Sequence, residues 1–72
     1  MTVRVQASGS LRTYAPAGTT MEDAQTVGDA IERLHLPASA GLAILVNGHI
    51  AHWGTPLSDG DLVQLVPQLS GG

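Results

Sequence analysis

The sequence predicts an α+β domain in which one helix packs on one face of a mixed sheet of four to five strands. Three observations predict it. The two ends of the chain alternate apolar and polar residues with period two, as half-buried strands do. A single stretch, Val27, Ala30, Ile31 and Leu34, has the i, i+3, i+4, i+7 spacing of one apolar helix stripe. Between them and the C-terminus, Asn47-Gly48 follows an apolar run, the strongest short-range hairpin signal, because both residues tolerate positive φ.

The elements follow in order. Val3, Val5 and Ala7 alternate with Arg4 and Gln6, a first strand over residues 2–7. Ser8-Gly9-Ser10 has turn composition, and Leu11-Arg12-Thr13-Tyr14-Ala15 alternates again, so a hairpin is expected here, with Pro16 to Thr20 as a loop. Thr26 is a natural N-cap for the helix, and Asp29 three residues later approximates a capping box. Gly28 in the first turn disfavours the helix by about 1 kcal/mol relative to Ala. Pro37 opposes continuation, since it lacks an N–H and its ring clashes with the preceding turn.

Leu42 to Val46 is continuously apolar, as a strand deep in the sheet would be. His49 to Trp53 is expected as a short return strand, and Leu57-Ser58-Asp59-Gly60-Asp61 as a turn whose aspartates make Asx-type hydrogen bonds. Leu62 to Pro67 is the last strand, and Pro67 suggests that it ends at or near an edge. Trp53 reads as a lid on the core. One stripe of helix has only one place to go, so it covers one face of the sheet. First and last strands pairing in parallel at the centre would make this the β-grasp, or ubiquitin-like, roll. The expected organisation is a domain over residues 1–67 and a small, polar, glycine-ended tail over 68–72.

Composition bounds the function. A chain of 72 residues holds one domain, which buries only about 60% of its unfolded surface. Apolar residues form 43% of it and charged residues 12%, about half the usual ~25%, which argues against disorder. It has no cysteine, hence no disulfide, zinc knuckle or redox thiol. Three arginines, no lysine and a net charge of −3 argue against nucleic acid as partner. Nothing resembles a signal peptide or a membrane span, so a soluble cytoplasmic domain, monomeric in isolation, is expected. So short a chain has few residues from which to wall a catalytic pocket. His49 and His52, three apart on a strand, point to opposite faces and do not share a metal ion, so no metal site is expected.

Several segments together resemble the bacterial sulfur carriers, a family that includes the molybdopterin-synthase small subunit (MoaD) and the thiamine-pathway carrier (ThiS). They are Val46-Asn47-Gly48, the Leu57-Ser58-Asp59-Gly60-Asp61 turn, the strand Val63-Gln64-Leu65-Val66-Pro67 and the terminal Ser70-Gly71-Gly72. Leu11 to Ala15 is also similar to the family's second strand. Pro67 before Ser70-Gly71-Gly72 is closer to the molybdopterin branch, while Gln68 departs from the second proline often found there.

The resemblance implies that Gly72 is adenylated by an E1-like enzyme and converted to a thiocarboxylate that donates its sulfur. The recipient in the molybdopterin branch is the synthase large subunit. Transfer to a thiazole synthase, or attachment to target lysines as a ubiquitin-like modifier, are the alternatives. The chain itself would be no enzyme and would bind no cofactor; ATP would be used by the activating partner.

The chemistry is consistent with this. A C-terminal carboxylate is ionised at neutral pH and is a poor electrophile. It needs a leaving group such as AMP, and the chain has no phosphate-binding Gly-x-x-x-x-Gly-Lys loop to supply one. The tail must therefore enter a partner's active site. Gly71 lacks a Cβ and passes a narrow channel, and residues 69–72 reach about 13–14 Å when extended. With no internal thiol, sulfur would sit only on the terminus. On the last strand, Val63 and Leu65 are expected in the core and Leu62, Gln64 and Val66 on the open face. Leu62 and Val66, with Leu45 from the neighbouring strand, are the candidate docking surface, together with Pro67, Leu69 and Ser70 leading to the tail.

Overall fold

The computed structural model describes residues 1–36 and 41–68. Five strands, β1 (Thr2–Ala7), β2 (Thr20–Glu22), β3 (Leu42–Val46), β4 (His49–Ala51) and β5 (Leu62–Pro67), form one mixed sheet in the order β2-β1-β5-β3-β4. One helix, α1 (Val27–Leu34), covers one face of it. This is the ubiquitin-like β-grasp expected from the sequence, and the first and last strands pair in parallel at its centre, Arg4 with Leu62 through Ala7 with Leu65.

The core is the apolar set that the two periodicities define. Val3, Val5 and Ala7 from β1, Ile44 from β3, and Val63 and Leu65 from β5 meet Val27, Ala30 and Ile31 of α1. Leu11, Ala15, Met21, Ala24 and Leu57 close its rim. The helix begins as expected: the Thr26 Oγ1 accepts the Asp29 N–H at 3.2 Å, satisfying one of the free donors of the first turn. Two further donors are taken by the segment after β4, where Thr55 O accepts Val27 N–H and Trp53 O accepts Gly28 N–H. Gly28 is what allows the second approach, since a Cβ there would lie 3.2 Å from the Trp53 carbonyl oxygen. The helix ends at Leu34 with His35 in the left-handed conformation at φ 55°. Pro37, the expected stop, lies outside the described residues.

Four expectations are corrected. Leu11 to Ala15 is not a strand: Gly9–Thr13 forms a 3-10 helix, and the second strand is β2, which takes in Thr20. Gly9 turns the chain at φ 58°, and the Tyr14 and Ala15 N–H groups both donate to Leu11 O. Leu11 and Ala15 are buried while Thr13 is exposed, so their four-residue spacing was helical rather than alternating. β5 does not run near an edge; it is the central strand. Pro67 is tolerated because even-numbered residues of β5 face β3, and Gln68 N–H still donates to Gly41 O at 3.1 Å. The Pro67 nitrogen faces the β1 side, where β1 has already ended at Ala7. β3 lies between β5 and β4, and only its Ile44 is fully buried. Finally, β4 stops at Ala51, and Trp53 is 56% exposed; it serves the helix through its carbonyl, not the core as a lid.

Candidate functional site

The face of the sheet away from α1 carries the candidate docking surface. With Val63 and Leu65 turned into the core, Leu62, Gln64 and Val66 point to the open side, as the alternation requires. Register extends that surface across the strands, because directly paired residues share a face. Gln64 pairs with Leu45, and Leu45 pairs with Ile50; Val66 pairs with Ala43. Leu45 and Leu62 are half-buried, Val66 is 36% exposed and Ile50 is 90% exposed. The open face thus holds an apolar cluster with Gln64 in its middle, and no described part of the chain covers it.

Ile50 was not among the residues singled out from the sequence. The signal was present: a two-residue Asn-Gly hairpin pairs Val46 with His49 and therefore Leu45 with Ile50.

One end of this surface is locked by a polar latch. Asn47, at φ 52°, and Gly48, at φ 84°, make the tight turn between β3 and β4. Asn47 N–H donates to Leu62 O at 2.9 Å, its Oδ1 accepts Leu62 N–H at 3.0 Å, and its Nδ2 donates to Asp61 Oδ1 at 2.9 Å. Asp61 Oδ2 accepts Ser58 N–H at 2.8 Å. These two hydrogen bonds, the Ser58 N–H first and the Asn47 amide second, hold the Asp61 carboxyl below its ordinary pKa. In the same turn Gly60 N–H donates to Thr2 O and Thr2 N–H donates to Asp59 Oδ1, each at 2.8 Å. Asp59 and Asp61 are therefore turn-formers, as the sequence suggests, and among the described residues no three His, Asp or Glu side chains gather as a metal site.

The other end is the exit toward the C-terminus. Pro67 is half-buried, and its ring packs on Gly9, where a Cβ would come within 3.2 Å of the Pro67 Cγ. Gln68 N–H is held by Gly41 O. Leu69, Ser70, Gly71 and Gly72, the expected tail contacts and cargo position, lie outside the described residues. Among the described residues no helix is long and apolar enough to cross a membrane.

With this geometry in hand, the sequence pattern of the ThiS family matches residues 5–72, from the middle of β1 through the terminal glycines. The chain belongs to the ThiS family. Among curated proteins none matches it in sequence. Solved structures of the same fold include SAMP1 from Haloferax volcanii, with a TM-score of 0.77, 24% identity and the whole of both chains covered. Urm1 from Trypanosoma brucei superposes with a TM-score of 0.67 at 18% identity, over 99% of this chain and 95% of that one. The complex of subunits 1 and 2 of molybdopterin-converting factor from Helicobacter pylori 26695 contains a chain with a TM-score of 0.66 and 25% identity, again over the whole of both chains. This ThiS-family chain thus has the ubiquitin-like β-grasp fold of these proteins, and the Helicobacter pylori relative is seen in a complex of two subunits.

Proposed function

We propose that the chain is a sulfur carrier of the molybdopterin-synthase small-subunit type. The observation that carries this reading is the family match running through Gly71-Gly72, supported by the likeness to the molybdopterin-converting-factor complex. The Gly72 carboxylate attacks the α-phosphate of ATP in an E1-like adenylating enzyme, and pyrophosphate leaves. A hydrosulfide equivalent then attacks the acyl-adenylate carbonyl, AMP leaves, and a thiocarboxylate remains on Gly72. The charged carrier passes its sulfur to the large subunit of the synthase, where the acceptor chemistry takes place. The chain is substrate and cargo, not catalyst, and ATP binds the partner alone.

The β-grasp body presents the tail. The open-face cluster of Leu45, Leu62 and Val66, extended by Ile50, docks on the partner, and Pro67, Leu69 and Ser70 lead Gly71 and Gly72 into its active site. Burial of such a cluster contributes roughly 25 cal/mol per Å² of apolar surface removed from water. Its position beside the exit at Pro67 aims the tail.

The test is to incubate the chain with ATP, a cognate activating enzyme and sulfide, and then to weigh it intact. Exchange of one oxygen for sulfur is expected. The separating experiment supplies the charged chain to each acceptor. Sulfur transfer to a molybdopterin-synthase large subunit supports the proposal. Transfer only to a thiazole synthase, or stable adducts only on foreign lysines, would replace it by one of the two alternatives.

A further inference from the structure

A second feature lies beside the docking face, on the β2 side of the sheet. β1, the 3-10 helix and the loop before β2 enclose an open groove of about 540 Å³. Arg4 and Gln6 stand on its floor, Arg12 of the 3-10 helix and Gly18 and Thr19 of the loop form its walls, and Leu62 lies at its margin. A space of this size accommodates a few residues of extended peptide.

Its charge is opposite to that of the rest of the molecule. The chain has only three cationic side chains and a net charge of −3. Arg33 is committed to the carbonyls of Glu22 and Asp23. The other two, Arg4 and Arg12, both line the groove, both are exposed, and neither has an ion pair or hydrogen bond among the described residues. None of the six carboxylate side chains lines it. Asp59 and Asp61 are used in their turn, Asp29 and Glu32 are on α1, Asp23 pairs with the N-terminal amine, and Glu22 accepts from the Thr2 hydroxyl. Both arginine side chains that are without a partner among the described residues therefore lie in one concavity.

The groove also exposes a strand edge. β2 pairs with β1 only from Thr2 to Arg4, and Thr19 O then accepts Val5 N–H at 2.9 Å. Alternate residues of β1, Arg4 and then Ser8, donate to the β5 side, so Ala7 N–H points to the same edge as Val5 N–H. No hydrogen bond from the described residues reaches it. A backbone donor left open at a strand edge can take an acceptor such as a peptide carbonyl.

We propose that this groove binds an extended acidic segment of a partner protein. Its carboxylates pair with Arg4 and Arg12, and a backbone carbonyl takes the Ala7 N–H. Guanidinium groups suit this role because they hold carboxylates in two-point geometry and stay charged at all relevant pH. The inference goes beyond sulfur carriage and does not depend on it, and its test uses no activating enzyme.

The test is a titration of the uniformly ¹⁵N-labelled chain with a hexaglutamate peptide, followed by amide shifts. Shifts are expected at Gln6, Ala7, Gly18 and Thr19. Affinity should weaken as salt is raised, and should fall about tenfold in Arg4→Gln/Arg12→Gln, as loss of two exposed charge pairs predicts. Arg12→Gln alone, on the exposed 3-10 helix, should weaken binding in the same direction and serves if the double variant unfolds. Hexalysine should leave the groove amides unmoved. Absence of shifts, shifts elsewhere, or unchanged affinity in Arg12→Gln would overturn the proposal. So would inorganic phosphate that reproduces the shifts and displaces the peptide at equal concentration, since the groove would then be a small-anion site.

Discussion

Val66 and Leu65 are adjacent on β5 yet meet opposite environments, 36% and 1% exposed. Leu65→Ala removes core volume and should cost about 2–5 kcal/mol. A core this small rarely supplies more than about 3–5 kcal/mol in total, so that variant should be largely unfolded by circular dichroism at room temperature. Val66→Glu sits on the open face and should cost less than about 1 kcal/mol. Its effect should appear instead as weakened docking on the activating enzyme, read as a raised KM for the carrier with Tm nearly unchanged. Ile50→Glu, at a position already 90% exposed, should behave like Val66→Glu. A large fall in Tm for either would mean that the open face is packed rather than free. Asp61 makes a different prediction, in pH. Its folded pKa lies below the ordinary 3.8, so the stability it contributes is full above that value and is lost as pH falls through the folded pKa. Between neutral pH and pH about 3, the native chain should therefore lose more stability in urea titrations than Asp61→Asn does over the same interval.

Asn47 shows what an element needs beyond its periodicity. Its φ of 52° makes the hairpin turn, and its side chain ties that turn to the start of β5. Asn47→Gly keeps an unstrained turn and loses the two side-chain bonds, whereas Asn47→Ala loses the same bonds and also strains the turn at positive φ. Asn47→Ala should cost about 2 kcal/mol in chemical denaturation and Asn47→Gly measurably less. Equal losses would mean that backbone strain contributes nothing. The hairpin itself was legible in Asn47-Gly48, the helix in its stripe and Thr26 cap, and β1 and β5 in their alternation. The second strand was not legible. Leu11, Thr13 and Ala15 fit period two as words, but Leu11 and Ala15 also fit a helical turn, and a five-residue stretch does not distinguish the two. β2 has only three residues, with Met21 alone inward, too short for any period to show. Pro67 misled for a related reason. A missing N–H matters only on the side where a neighbour waits, and β1 has turned away before it reaches Pro67.

At the scale of the whole molecule, a five-stranded roll with one helix leaves one sheet face uncovered, and the chain places on it an apolar cluster and an arginine-lined groove, with the end of β5 at Pro67 beside them. The candidate docking residues Leu62 and Val66 were readable because strand parity assigns faces, and Pro67 because it leads into the tail; Leu45 was readable from the neighbouring strand, and Ile50 required the hairpin register as well. The sulfur chemistry was legible only through family resemblance, since a glycine carboxylate has no side chain to betray its use. The most direct measurement is the intact mass of the full chain and of the chain lacking Gly72 after incubation with ATP, activating enzyme and sulfide. The full chain should exchange one oxygen for sulfur, and the shortened chain, equally folded by circular dichroism, should not. A full chain whose mass never changes in the presence of a demonstrably active cognate enzyme, or a shortened chain that takes up sulfur as readily, would contradict carriage at Gly72.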